Sequence, residues 1–237
     1  MTTRRRAALC ALAALALAPL RLAGQSKPGT VEEMHRLHGD SKAFIAMLED
    51  PARDAYQKPH EVVTALGLRE GQRVADIGAG SGYFALRFAR HVGPNGQVLA
   101  VDINPDMIRH LNRKVRDAGL SNVRAVLADP DDPLLAPSSV DLVFVCDTWH
   151  HIGNRPQYLA LLKAALKPGG RIAVVDFRAV AMPVGPPPEM RLSREAVVAE
   201  FAKGGFRLAT EHEFLPYQYF LVFAPVPARA GTGTQAE

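Results

Sequence analysis

Apolar residues recur along this chain in two rhythms. From 31 to 50, Met34, Leu37, Phe44, Ile45, Met47 and Leu48 fall at helical spacing until Pro51 stops the run. Pro59 suits the first turn of a second helix through Val62, Val63 and Leu66, closed by Gly67. Short apolar runs then predict strands at 73–77, 98–102, 123–127, 140–146 and 171–176. Amphipathic stretches between them predict helices at 83–92, 105–118, 155–166 and 193–203. Leu142, Val143, Phe144 and Val145 are apolar without alternation, so that strand is buried on both faces, as a parallel sheet covered by helices requires. Two last runs, 206–213 and 217–224, are separated only by Phe214, Leu215 and Pro216, so they pair as an antiparallel hairpin. The pattern predicts an α/β fold: a doubly wound, mostly parallel, seven-stranded sheet ending in an antiparallel hairpin.

The ends of the chain read differently. Met1 to Arg6 is short and basic, an apolar run of about 14 residues follows, and residues 21–26 are small and polar, which is the layout of a signal peptide. At 1.5 Å per residue that run is too short to cross a hydrocarbon core of roughly 30 Å. Thr3, Arg4, Arg5, Arg6, Ala7, Ala8 and Leu9 resemble a twin-arginine export signal, with Ala7 standing where the usual phenylalanine would be. Residues 1–25 are therefore expected to be a signal peptide or membrane-targeting leader, with export or the cell envelope as destination and a cytoplasmic protein as the alternative. Residues 29–58 form a helical lid segment, 59–224 the main domain, and 225–237, rich in Pro, Ala, Gly and Thr, a disordered tail.

Charge removes one class of partner. The formal charge of +4 comes from 28 Lys and Arg against 24 Asp and Glu, but Arg4, Arg5, Arg6 and Arg21 sit in the leader, leaving 24 against 24 in the body. A neutral body argues against nucleic acid and for a small-molecule substrate. The two cysteines, Cys10 and Cys146, provide no disulfide framework, CxxC pair or cysteine-rich zinc site.

The chemistry concentrates after the first strand, in Asp76, Ile77, Gly78, Ala79, Gly80, Ser81, Gly82, Tyr83. Alternate glycines let the backbone pass close under a ligand, and N–H groups at a helix start favour a polar or anionic group. A dinucleotide site would want its third glycine one place later, where Tyr83 stands. Asp76 can meet an amine. Asp102 ends the next strand, where an acid commonly chelates ribose hydroxyls, with Ile103 beside it. After the third strand, Ala128 and Asp129 can offer an N–H and a carboxylate to an adenine edge, although Asp129, Asp131 and Asp132 around two prolines also read as a solvated turn. Together these groups describe a nucleoside with an amino-acid tail and no phosphate, S-adenosylmethionine.

On these residues the chain resembles the class I S-adenosylmethionine-dependent methyltransferases, with D-x-G-x-G-x-G at 76–82, Asp141, Leu142 and Val143 on the fourth strand, and Leu166, Lys167, Pro168, Gly169 and Gly170 turning into the fifth. The resemblance covers roughly 61–223 and implies the terminal hairpin, the cofactor S-adenosylmethionine and methyl transfer to a small-molecule acceptor. A cofactor-binding envelope protein without turnover is the alternative.

The acceptor is expected above the carboxyl ends of the first and fourth strands. There Cys146, Asp147, Thr148, Trp149, His150 and His151 follow one another. His150 or His151 can accept a proton, with Asp147 orienting it; both also read as helix-packing residues. No third ligand has metal spacing. Asp176 ends the fifth strand and either lines the pocket or caps. Tyr56 and Gln57 are placed to fold over the cofactor, a ring face near the sulfonium gaining cation–π energy of about 0.5–2 kcal/mol. The proline-rich loop at 181–190 can wall the substrate site.

Overall fold

The computed structural model describes residues 30–227; the leader and the last ten residues lie outside this range. Seven strands form one sheet: β1 (Arg73–Ile77), β2 (Gln97–Asp102), β3 (Val123–Leu127), β4 (Val140–Cys146), β5 (Leu166–Phe177), β6 (Phe206–His212) and β7 (Gln218–Pro225). Their order is β3-β2-β1-β4-β5-β7-β6. The first five are parallel, and β7 runs antiparallel to both β5 and β6. The hairpin thus inserts its second strand into the sheet and leaves β6 as the edge.

Side chains alternate across this sheet into two apolar layers. Val74, Leu142, Phe144, Ala173 and Val175 face α4 (Pro59–Ala65), α5 (Ala85–Val92) and α6 (Pro105–Asp117). Ala75, Ile77, Val143, Val145 and Val174 face α7 (Arg155–Ala165) and α8 (Arg194–Lys203). Leu142, Val143, Phe144 and Val145 are all fully buried, as their unbroken apolar run requires. The chain reverses direction of winding between β1 and β4, so the crevice at their carboxyl ends is where a ligand is expected.

Several boundaries differ from the sequence pattern, two of them for clear local reasons. The run at 31–50 is two helices, α1 (Val31–Gly39) and α2 (Ser41–Leu48), because the Asp40 carboxylate accepts from the N–H groups of Lys42 and Ala43 and starts a new helix there. The helix expected to run through Leu166 stops at Ala165: Lys167 precedes Pro168, which disfavours helix, and Leu166 already pairs with Val140 before a bulge resumes the ladder at Arg171. After α2, a 3₁₀ turn (Pro51–Arg53) and the short α3 (Asp54–Gln57) complete a cover across the strand ends.

Candidate functional site

Two adjoining cavities open above β1 and β4. The first, about 490 Å³, is lined by Asp76, the glycine loop, Asp102, Ile103, Met107, Tyr158 and the cover residues His38, Phe44, Leu48 and Arg53. The second, about 400 Å³, is lined by Met34, Leu37, Tyr56, His150, Phe177, Val184 and Pro186. Both share His38, Phe44, Leu48, Arg53, Asp147 and His151 as a common wall.

The floor of the first cavity follows from the loop. Gly80 has φ of +54°, and its N–H donates to the Asp102 carboxylate at 2.8 Å, tying the loop to the end of β2. A β-carbon on Gly82 would collide with Leu111 and Leu86, so a glycine there lets α6 close against the loop. Asp102 also accepts from the Asn104 N–H at 2.8 Å, which holds its two oxygens in a fixed orientation. Burial raises the Asp102 carboxyl above its ordinary value, against three backbone N–H groups that lower it. Asp76 is 3% exposed, its Oδ2 has no hydrogen-bond partner among the described residues, and burial followed by the charge of Asp102 pushes its carboxyl up to about 8.

These residues fit S-adenosylmethionine. An unpartnered buried carboxylate oxygen calls for a cationic donor, which the cofactor's ammonium group supplies. Asp102 suits the ribose hydroxyls, and Ile103, 57% exposed, offers apolar surface to a base. Tyr83, at the place where a dinucleotide site would want its third glycine, lines the same cavity; its ring is clasped by Arg53 at 4.3 Å and Arg87 at 4.2 Å while its hydroxyl donates to Asp54.

The other expected residues fall less evenly. The Ala128 N–H donates to the Asp102 carbonyl at 3.0 Å, so the sheet ladder consumes the donor expected to serve adenine. Asp129 is exposed in a turn bridged to Asp132, and Pro130, not Asp129, lines the cavity. Tyr56 lies in the second cavity, 6.0 Å from the Phe177 ring and 6.2 Å from that of Tyr217, instead of over the glycine loop; burial pushes its phenol up to about 12. Gln57 is fully buried and donates to the Cys146 sulfur at 3.0 Å, and burial holds that thiol well above its ordinary value.

The segment after β4 divides its side chains three ways. Trp149 faces the core, fully buried against Phe201, and donates to Glu200 at 3.0 Å; it lines neither cavity. His150 turns to Asp176, not to the expected Asp147, with Nδ1 2.9 Å from Oδ2. His151 lines both cavities, 5.1 Å from the His38 ring on α1. Asp147, at φ of +51°, accepts from Gln218 at 2.7 Å; burial and the charge of Asp176 push it up to about 6. Among the described residues, no three His, Cys, Asp or Glu side chains are arranged to hold a metal ion.

Two arginines carry structure that the sequence pattern had not signalled. Arg53 joins the cover to both cavities through Tyr83 and the Leu48 carbonyl. Arg191, 6% exposed, donates to the carbonyls of Pro186, Arg178, Val180 and Val184, which pins the proline-rich loop as a wall of the second cavity.

The strand order, the terminal hairpin and the glycine loop with its two acids define a class I S-adenosylmethionine-dependent methyltransferase. A family model described as a methyltransferase domain matches residues 68–213, and the chain belongs to that family. It is 34% identical over 116 residues to the ubiquinone/menaquinone biosynthesis C-methyltransferase UbiE of Psychromonas ingrahamii, covering 48% of this chain and 46% of that protein. With the protein of the same description from Serratia proteamaculans it shares 35% over 112 residues, 47% of this chain and 45% of that one. The chain thus spans a little under half the length of these curated relatives. Among solved structures, a SAM-dependent methyltransferase from Aquifex aeolicus superposes with a TM-score of 0.74 at 29% identity, covering 78% of this chain and 97% of that one. A putative type 11 methyltransferase from Sulfolobus solfataricus shares the fold, with a TM-score of 0.58 at 19% identity over 70% of this chain and 90% of that one.

Asp76 carries a pH signature. Cofactor binding needs its ionised form opposite the ammonium group, so affinity rises from pH 6 toward 8, then falls as the cofactor's α-amino group loses its own proton near pH 8. Asp76→Asn weakens binding by about tenfold to a hundredfold, the range for a hydrogen bond to a charged group, and flattens the rise. Titration calorimetry at several pH values reads both effects. An unchanged slope in the variant contradicts the role given to Asp76.

Proposed function

We propose that this chain transfers the methyl group of S-adenosylmethionine to a small, largely apolar acceptor held in the second cavity. The observation carrying this reading is the wall common to the two cavities, where Arg53, Asp147 and His151 stand between a nucleoside-shaped floor and an apolar chamber. The cofactor, when bound, supplies an electrophilic methyl group. The chain's part is to orient the acceptor and exclude water: Asp76, Gly80 and Asp102 fix the donor, while Phe44 and Leu48 on α2 close over both sites. The description of the curated relatives as ubiquinone/menaquinone biosynthesis C-methyltransferases supports a small-molecule acceptor.

The leader's basic start and apolar run support an exported or envelope-associated enzyme, with membrane association through that leader. No helix among the described residues is long and apolar enough to cross a membrane. The test incubates the full chain and S-adenosylmethionine with the small-molecule and lipid extract of the cell envelope and measures S-adenosylhomocysteine. Release above the extract-free control is expected; tight cofactor binding without release on any fraction supports a binding protein without turnover.

A further inference from the structure

We propose that His150 is the base that receives the acceptor's proton and that Asp176 positions it, so that the second cavity selects an apolar acceptor bearing an acidic O–H or C–H. This rests on the methyl-transfer reading above. The His150 side chain is 2% exposed and that of Asp176 fully buried. The Nδ1 atom lies 2.9 and 3.1 Å from the two carboxylate oxygens, and the carboxylate is held in turn by the Phe177 N–H at 2.8 Å. An acceptor on Nδ1 assigns the proton to that nitrogen and leaves Nε2 with a lone pair. Nε2 is buried, has no hydrogen-bond partner among the described residues, and belongs to a residue lining the second cavity. A buried imidazole nitrogen left unpaired is costly, and a ligand proton directed at it removes that cost.

The neighbours of His150 select it over His151. Asp147 from the loop after β4, Asp176 from β5, Arg191 from beyond the proline-rich loop, Arg53 from the cover, His151 on the same turn, and His35 and His38 on α1 are the titratable and charged groups around the pair. Burial works against the imidazolium of His150, but the Asp176 hydrogen bond and the charges of Asp176 and Asp147 outweigh it and hold His150 above its ordinary value. His151 is driven down to about 3 by burial and by the charges of His150 and His38, which makes it a weak proton acceptor. The Arg191 guanidinium is spent on backbone carbonyls. The rest of the wall is mostly apolar, with Met34, Leu37, Phe44, Phe177 and Val184 beside Glu33, Asp50 and Arg53, and leaves about 400 Å³ for a ring-sized acceptor.

In the step, the acceptor's X–H proton moves to Nε2 of His150. The electron pair left on X forms the bond to the methyl carbon, and the S–CH₃ pair stays on sulfur to give S-adenosylhomocysteine. The proton leaves Nε2 for water as the methylated product departs.

The probe is 4-nitrophenol, whose phenolate absorbs visible light, titrated into the full chain saturated with S-adenosylhomocysteine. The bound phenol is expected to ionise about tenfold more readily than free phenol, because His150 takes its proton. His150→Gln and Asp176→Asn abolish that shift while leaving S-adenosylhomocysteine affinity within about twofold, and Asp176→Glu restores part of it. Nitrogen NMR of His150 in the unaltered chain needs no variant: Nε2 gains a proton when the phenol binds. A shift that survives His150→Gln, a phenol that does not bind the saturated chain, or an Nε2 signal that does not respond overturns the proposal while the cofactor assignment stands. Failure of S-adenosylhomocysteine itself to bind removes the methyl-transfer reading and the proposal with it.

Discussion

Gly80→Arg abolishes cofactor binding, with affinity falling more than about a hundredfold, while the chain stays folded. Two separate effects combine at this position. Gly80 sits at φ of +54°, where a side chain adds about 1–2 kcal/mol of backbone strain, and a β-carbon there would come within 2.9 Å of Leu48 on the cover. Gly80 lines the first cavity with Asp76 and Asp102, so the rest of an arginine is expected to fill that cavity and its guanidinium to pair with the carboxylates meant for the cofactor. Gly119 supplies the control. It has φ of +62°, and a β-carbon there would meet nothing within 4 Å, so Gly119→Arg carries similar strain on open surface and keeps full cofactor affinity. Equal loss in both variants, measured by calorimetry, contradicts a role for the loop beyond its turn.

Trp149→Ala is expected to remove about 3–5 kcal/mol of stability, the cost of deleting a large buried aromatic. Trp149 is fully buried, its ring centroid 5.1 Å from Phe201, and its indole N–H donates to Glu200, which also pairs with Arg155 at 2.9 Å. The alanine variant leaves a cavity between the sheet and α8 and strips Glu200 of one donor. Against a typical domain stability of about 5–15 kcal/mol this is a large fraction, so the midpoint of denaturant unfolding falls sharply. Where the variant is folded, cofactor affinity is expected to stay within about threefold, because Trp149 lines neither cavity. Unchanged stability with lost affinity would place this tryptophan at the site instead.

The sheet was legible because its strands are short, mostly apolar runs separated by turns and amphipathic helices. β1, β3 and β4 have the bounds that hydrophobic patterning predicts, and the glycine loop with Asp76 and Asp102 announced a cofactor from residue types and order alone. Gly39 followed by Asp40 and Ser41 was a readable helix stop and start, but the apolar periodicity on both sides ran through it. The acceptor side was harder for a geometric reason. Trp149, His150 and His151 form a 3₁₀ turn, which sends consecutive side chains about 120° apart, so neighbours in sequence reach the core, Asp176 and the cover respectively. The Asp176 partner lies 26 residues away on β5, and only the pairing of Cys146 with Val175 brings the two strand ends together. Arg191 was equally hidden, because its role is to satisfy carbonyls of a loop whose path no local pattern sets.

A crystal structure of the full chain with S-adenosylhomocysteine decides the matter most directly. The amino group of the ligand is expected at Asp76, its ribose hydroxyls on Asp102, its adenine against Ile103, and its sulfur facing the wall that Asp147 and His151 share with the second cavity. A ligand found outside this crevice, or displaced from it by a nicotinamide dinucleotide bound across the glycine loop, would contradict the account.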